Sequence, residues 1–182
     1  MPKNPSAYDG ANSAVRVYLI KITETMGYDV VTDDIFNDIK NDFDNKCAYC
    51  GEKGTPDNPL EMEHLFMANR FQLGLQHPGN VVPAHKKLCN SRYYTKTWEE
   101  QIGKVAEAKG ISQERKEELK QKISNHLRDK EYPNLEGNIL KIIQKSAQEL
   151  YEKVVIDIDR AILDSLSKFG EEINDTNSET NP

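Results

Sequence analysis

The chain has 182 residues, 37% of them hydrophobic and 30% charged, with a net charge of −6. That length suits one domain with its own core, or a small domain with appended helices. No apolar run approaches the roughly 20 residues of a spanning helix. The start, Met1-Pro-Lys-Asn-Pro-Ser, carries no secretory apolar stretch, so a cytoplasmic protein is expected. The acidic balance argues mildly against a nucleic-acid partner, but it is uneven. Residues 1–46 carry five Lys/Arg against eight Asp/Glu, and residues 47–96 carry six against four. From Gly170 onward there are four acids and no base. Phosphate contacts need local cations rather than a basic whole chain, so the middle segment keeps that partner open.

In chain order, an N-terminal helical segment spans residues 1–46. Tyr8 to Met26 is predicted as a helix, with Val15, Val17, Leu19, Ile20 and Ile22 apolar. Thr32 to Phe43 is a second, capped by Thr32 or Asp33, with Ile35, Ile39 and Phe43 repeating every fourth residue. Turn signals follow in Cys47-Ala-Tyr-Cys50-Gly and Gly54-Thr-Pro-Asp-Asn-Pro59. Leu60 to Leu65 reads as a short strand and Phe66 to Gly79 as a long loop. Asn80-Val-Val reads as a second strand. Ala84 to Trp98 reads as a helix starting at or just after Pro83. A C-terminal helical region over 99–170 follows, with stops at Gly110 and Pro133 and a long apolar stripe through Ile143, Ala147 and Ile158. Such a stripe is a packing face. Residues 171–182 are polar and are expected to form a disordered tail. The expected class is α+β, mostly helical.

The chemistry concentrates in residues 47–92, which hold every cysteine and three of the four histidines. Three cysteines are too few for a disulfide framework. Cys47, Cys50, His85 and Cys89 make a Cys3His set, the closed tetrahedral donor set of a structural zinc. On a helix His85 and Cys89 would share a face. The competing reading is ordinary buried thiols beside a surface histidine. The 34 residues between Cys50 and His85 are too many for a DNA-reading finger but enough for a two-stranded insert. That insert carries Glu63-His64 and Asn80, and Asn90 follows Cys89. One position past Cys89 on a helix, Asn90 would turn about 100° away, toward the hairpin. Carboxylate and amide oxygens suit Mg²⁺ or Mn²⁺, and a histidine can take a proton from water near neutral pH.

Cys-x-x-Cys, acid-His, an asparagine opening the second strand and a final Cys-Asn together resemble the HNH nucleases, metal-dependent phosphodiesterases. The resemblance covers residues 47–98 and implies a ββα-metal core with a structural zinc, cutting DNA. It implies His64 as general base, Glu63 and Asn90 as ligands of a catalytic Mg²⁺ or Mn²⁺, and Asn80 as the residue that ties the hairpin loop and orients the base. Arg92 matches a basic position that contacts phosphate. Arg70 and Tyr93, or Tyr94, are further candidate nucleic-acid contacts. Two features depart from the family pattern: His85-x-x-x-Cys89 replaces a second Cys-x-x-Cys, and Leu65-Phe-Met-Ala-Asn-Arg70 replaces a Pro- and Gly-rich run. Glu61 lies on the same strand face as Glu63 and competes for its role. A restriction or phage-defence nuclease is the expected setting. The alternatives are a non-catalytic zinc-stabilised module that binds nucleic acid or protein, and a nuclease subunit active only with a partner. The C-terminal helices are the expected surface for a homodimer or a regulatory protein.

Overall fold

Helix α1, Ala7–Thr25, starts at a capping box: the Ser6 hydroxyl accepts from the Asp9 backbone, and the Asp9 carboxylate accepts from the Ser6 backbone. Such reciprocal bonds satisfy two of the free N–H groups at a helix start. Ala11, Val15, Leu19 and Thr23, each four apart, form its buried face, while Val17 points to solvent. Helix α2, Asp33–Asp42, is capped by Thr32 and buries Phe36 and Ile39, followed by Phe43. The computed structural model describes residues 6–92 and 96–178, with side chains through 169.

Strand β1, Leu60–His64, pairs antiparallel with β2, Val81–His85, placing Glu63 opposite Val82 and His64 opposite Val81. Every residue of β2 is buried. Pro83 can sit inside β2 because its missing N–H is not needed there, and its carbonyl accepts from Ala48 at 2.8 Å. Three helices complete the described residues: α3, Trp98–Lys109; α4, Gln113–Asp129; and α5, Gly137–Ser178. Thr97 and Glu100 cap α3 reciprocally, Gly110 ends it at φ +64°, and Ser112 caps α4. The class is α+β, mostly helical, with one two-stranded sheet among the described residues. No helix among them is long and apolar enough to cross a membrane.

Two expectations are corrected. The helix predicted over Ala84–Trp98 does not form. Ala84 and His85 complete β2 opposite Glu61 and Leu60, and residues 86–90 turn instead. The Asn90 N–H bonds back to the His85 carbonyl, and Gln101 of α3 donates to the Leu88 and Cys89 carbonyls. Those bonds take the groups a helix would have used. The last helix also runs on to Ser178, through residues expected to be a disordered tail.

The apolar side chains form two clusters. One gathers α2, the cysteines, β2, α3 and α4, through Phe36, Ile39, Tyr49, Val82, Ile102 and Ile123. The other joins α1 to α5 across Leu73, using Val15, Leu19, Ile143 and Ala147. The hairpin loop between β1 and β2 lies where they meet.

Candidate functional site

The two cysteine-bearing turns are built differently. In the first, Cys47 N–H bonds to the Glu52 carbonyl and Gly51 N–H to the Cys47 carbonyl, both at 2.8 Å. Gly51 has φ +74°, a left-handed position that favours glycine. The second is the 86–90 turn. Together they bring one ligand atom each from Cys47, Cys50, His85 and Cys89 within 4.8 Å of one another, all four residues buried. His85 Nδ1 lies 3.4 Å from Cys50 Sγ, and its Nε2 lies 3.3 Å from the Lys53 carbonyl. A proton donated from Nε2 leaves the Nδ1 lone pair facing the thiols, as in metal-ligating histidines. The Cys50 and Cys89 thiols hydrogen-bond Cys47 and push its pKa down, while the bonds that Cys89 makes to Cys47 and Cys50 push Cys89 up. Three thiols competing for charge in a buried pocket, with an imidazole lone pair among them, fit zinc chemistry. The cluster can hold zinc.

The hairpin loop is closed by Asn80, whose side chain is fully buried. Its Oδ1 accepts from Phe66 N–H at 2.7 Å, and its Nδ2 donates to the Phe66 and Leu75 carbonyls at 2.8 Å. All three bonds go to loop backbone. Gly74 allows the loop to close this tightly, because a side-chain carbon there would overlap the Phe66 carbonyl. His64 Nε2 instead meets the Gln76 side-chain oxygen at 2.7 Å. Burial lowers the His64 pKa from its ordinary 6.5, and the Gln76 bond opposes that shift.

Glu63 is buried on the other face of β1. Its Oε1 lies 3.1 Å from an Arg92 guanidinium nitrogen, with the two side chains 7% and 0% exposed. Arg92 was expected at a phosphate. It is turned inward instead, donating to the Leu65 carbonyl at 2.8 Å and to the His64 and Lys96 carbonyls. The end of β1 leaves the His64 and Leu65 carbonyls without ladder partners, and the five-donor guanidinium satisfies them. Around this pair, Arg92 Nε is buried without a hydrogen-bond partner, and the buried Tyr49 hydroxyl lies near enough to Glu63 to help hold its charge. Burial pushes the Glu63 carboxyl up to about 7, against the pull of Arg92. Glu61, its rival, lies half in solvent and pairs with Lys86.

Asn90 donates from Nδ2 to the Met62 carbonyl at 3.2 Å, which leaves its oxygen as the atom it can offer a ligand. Arg70 stacks between Phe71 and Tyr151, at 4.2 and 3.7 Å from the ring centres. Tyr93 and Tyr94 lie outside the described residues. The fold therefore gathers the four zinc candidates, places Glu63 and His64 on β1, and ties the Asn90 turn to that strand through the Met62 carbonyl. Two residues escaped the sequence reading. Tyr49 sits between the first two cysteines and gives no signal of its own there. Gln76 lies in an aperiodic loop, so only the loop's path reveals it. No known protein family, curated protein or solved structure matches this chain.

Proposed function

We propose that this chain is a zinc-stabilised HNH-type endonuclease that hydrolyses DNA phosphodiester bonds with Mg²⁺ or Mn²⁺. The observation that carries the proposal is the placement, at adjacent positions of β1, of a histidine with one ring nitrogen already engaged and a buried carboxylate. Carboxylate and amide oxygens fit a divalent cation, and Glu63 with the Asn90 oxygen makes a hard donor set once Arg92 yields the carboxylate. When bound, the cation supplies charge neutralisation at the scissile phosphate. His64 takes a proton from the attacking water at Nδ1. Asn80 keeps the loop closed beside it. The zinc cluster fixes the turn that carries Asn90, and Gln101 of α3 holds that turn through the Leu88 and Cys89 carbonyls.

A second reading is a zinc-stabilised module that binds nucleic acid without turnover. The Glu63–Arg92 pair favours it, because a guanidinium already faces the carboxylate. Cleavage of supercoiled plasmid and phage DNA with Mg²⁺ or Mn²⁺ separates the two. The nuclease reading expects metal-dependent cutting that falls by a factor on the order of 10² or more in His64→Ala. Full activity in that variant removes His64 as the base. DNA binding with no cutting across both metals supports the binding module.

A further inference from the structure

We infer that Gln76 is the positioning residue for His64, and that helix α1 holds Gln76 in place through Thr23. The inference rests on the nuclease reading for its catalytic meaning, but its geometry stands apart from it. A glutamine side-chain oxygen can only accept, so the 2.7 Å contact places the imidazole proton on Nε2. The lone pair is then on Nδ1, the nitrogen that would receive the water's proton. A neutral acceptor suits this task, because it fixes the ring's orientation without adding a charge beside a buried imidazole.

Gln76 is itself buried and gripped at both backbone groups. Its N–H donates to the Thr23 hydroxyl oxygen at 3.1 Å, and its carbonyl accepts from Val31 N–H at 3.1 Å. Thr23 is fully buried and donates its own hydroxyl proton to the Leu19 carbonyl at 2.8 Å, so its lone pairs are left for Gln76. A chain of bonds thus runs from the α1 backbone through Thr23 and Gln76 to the His64 ring. Thr23 is otherwise an odd member of the apolar face formed by Ala11, Val15 and Leu19. The relay gives a polar residue a reason to be there. It also gives the N-terminal helix, which contributes no ligand or acid–base group, a role at the site.

The test uses the full zinc-loaded chain with Gln76→Leu, Gln76→Glu, Thr23→Val and Thr23→Ser. In Gln76→Leu the turnover number should fall about tenfold or more with KM for DNA unchanged, since general-base catalysis is worth on the order of 10² to 10⁴. Gln76→Glu keeps an acceptor and should recover part of the loss. Thr23→Val should lose less than Gln76→Leu, and Thr23→Ser should behave as the parent. The second readout needs no activity. In ¹⁵N-histidine-labelled protein the hydrogen-bonded Nε2–H of His64 should give a slowly exchanging NMR signal, lost in Gln76→Leu. If the parent protein does not cut DNA, the nuclease reading fails and this signal still decides the pairing. Persistence of the signal in Gln76→Leu, or cutting by that variant at the parent rate, overturns the inference.

Discussion

Replacing Asn80 by alanine tests the loop closure on which the hairpin depends. The substitution strands three backbone groups at once: the Phe66 N–H, the Phe66 carbonyl and the Leu75 carbonyl. A buried polar group left unpaired costs about 1–3 kcal/mol. Phe66 is 36% exposed and Leu75 fully buried. Water can reach the two Phe66 groups, so they fall at the low end and Leu75 nearer the high end. The total is roughly 4 kcal/mol, a large share of the 5–15 kcal/mol that stabilises an ordinary domain. Urea unfolding of the zinc-loaded protein, followed by circular dichroism, measures it. With a slope of about 2 kcal/mol per molar, the midpoint should fall by roughly 2 M. Asn80→Asp keeps the acceptor for Phe66 N–H but aims a carboxylate at two carbonyl oxygens. It should be at least as damaging at neutral pH and recover on acidification, when the protonated acid can donate. A loss below about 1 kcal/mol for Asn80→Ala would mean that water replaces the amide, and the closure argument would fail.

Metal analysis should find one zinc per chain, and strong chelators should abolish near-ultraviolet circular dichroism of the core, given the roughly 10 kcal/mol that structural zinc contributes in small domains. Unchanged zinc content in Cys89→Ser would refute the Cys3His assignment. Arg70→Ala should cost about 1 kcal/mol through lost stacking on Phe71 and Tyr151, with Arg70→Lys recovering little. Unaltered stability with weaker DNA binding would instead return Arg70 to the phosphate role. His126 donates to the Pro78 and Val81 carbonyls, and burial lowers its pKa from 6.5. Below pH 6.5 the unfolded chain therefore takes up a proton that the folded chain resists, so this residue's share of stability is lost as pH falls. The drop in stability between pH 7.5 and 5.5 should be smaller in His126→Gln, and equal drops would contradict that account.

The helices were legible in the sequence because their caps are local. Ser6, Thr32, Thr97 and Ser112 each bond to a backbone group three residues on, and Gly110 and Pro133 stop what precedes them. The ligand spacing of the cysteines was equally local at each end. The turn over residues 86–90 was not, because Ala84 and His85 look helical until β1 takes their backbone groups. The inward turn of Arg92 was hidden for a related reason. Apart from the nearby Lys96 carbonyl, its partners are the His64 and Leu65 carbonyls and the Glu63 carboxylate, and nothing near Arg92 in sequence reports their unmet bonds. Gln76 depends on Thr23 and Val31, which belong to another part of the chain altogether.

The α1–α5 cluster has a consequence for the order of folding. Val15 and Leu19 find their apolar partners in Ile143 and Ala147, far along the sequence. Contacts between distant residues close large loops and form slowly. During synthesis the N-terminal part emerges first. The cysteine turns, the hairpin, α3 and the start of α4 can therefore assemble while α1 still lacks its neighbour. Thr23 sits on that waiting helix. A nascent chain can then have its cysteine cluster complete and His64 still unsupported, so on the proposed nuclease reading competence to cut would be the last property it acquires.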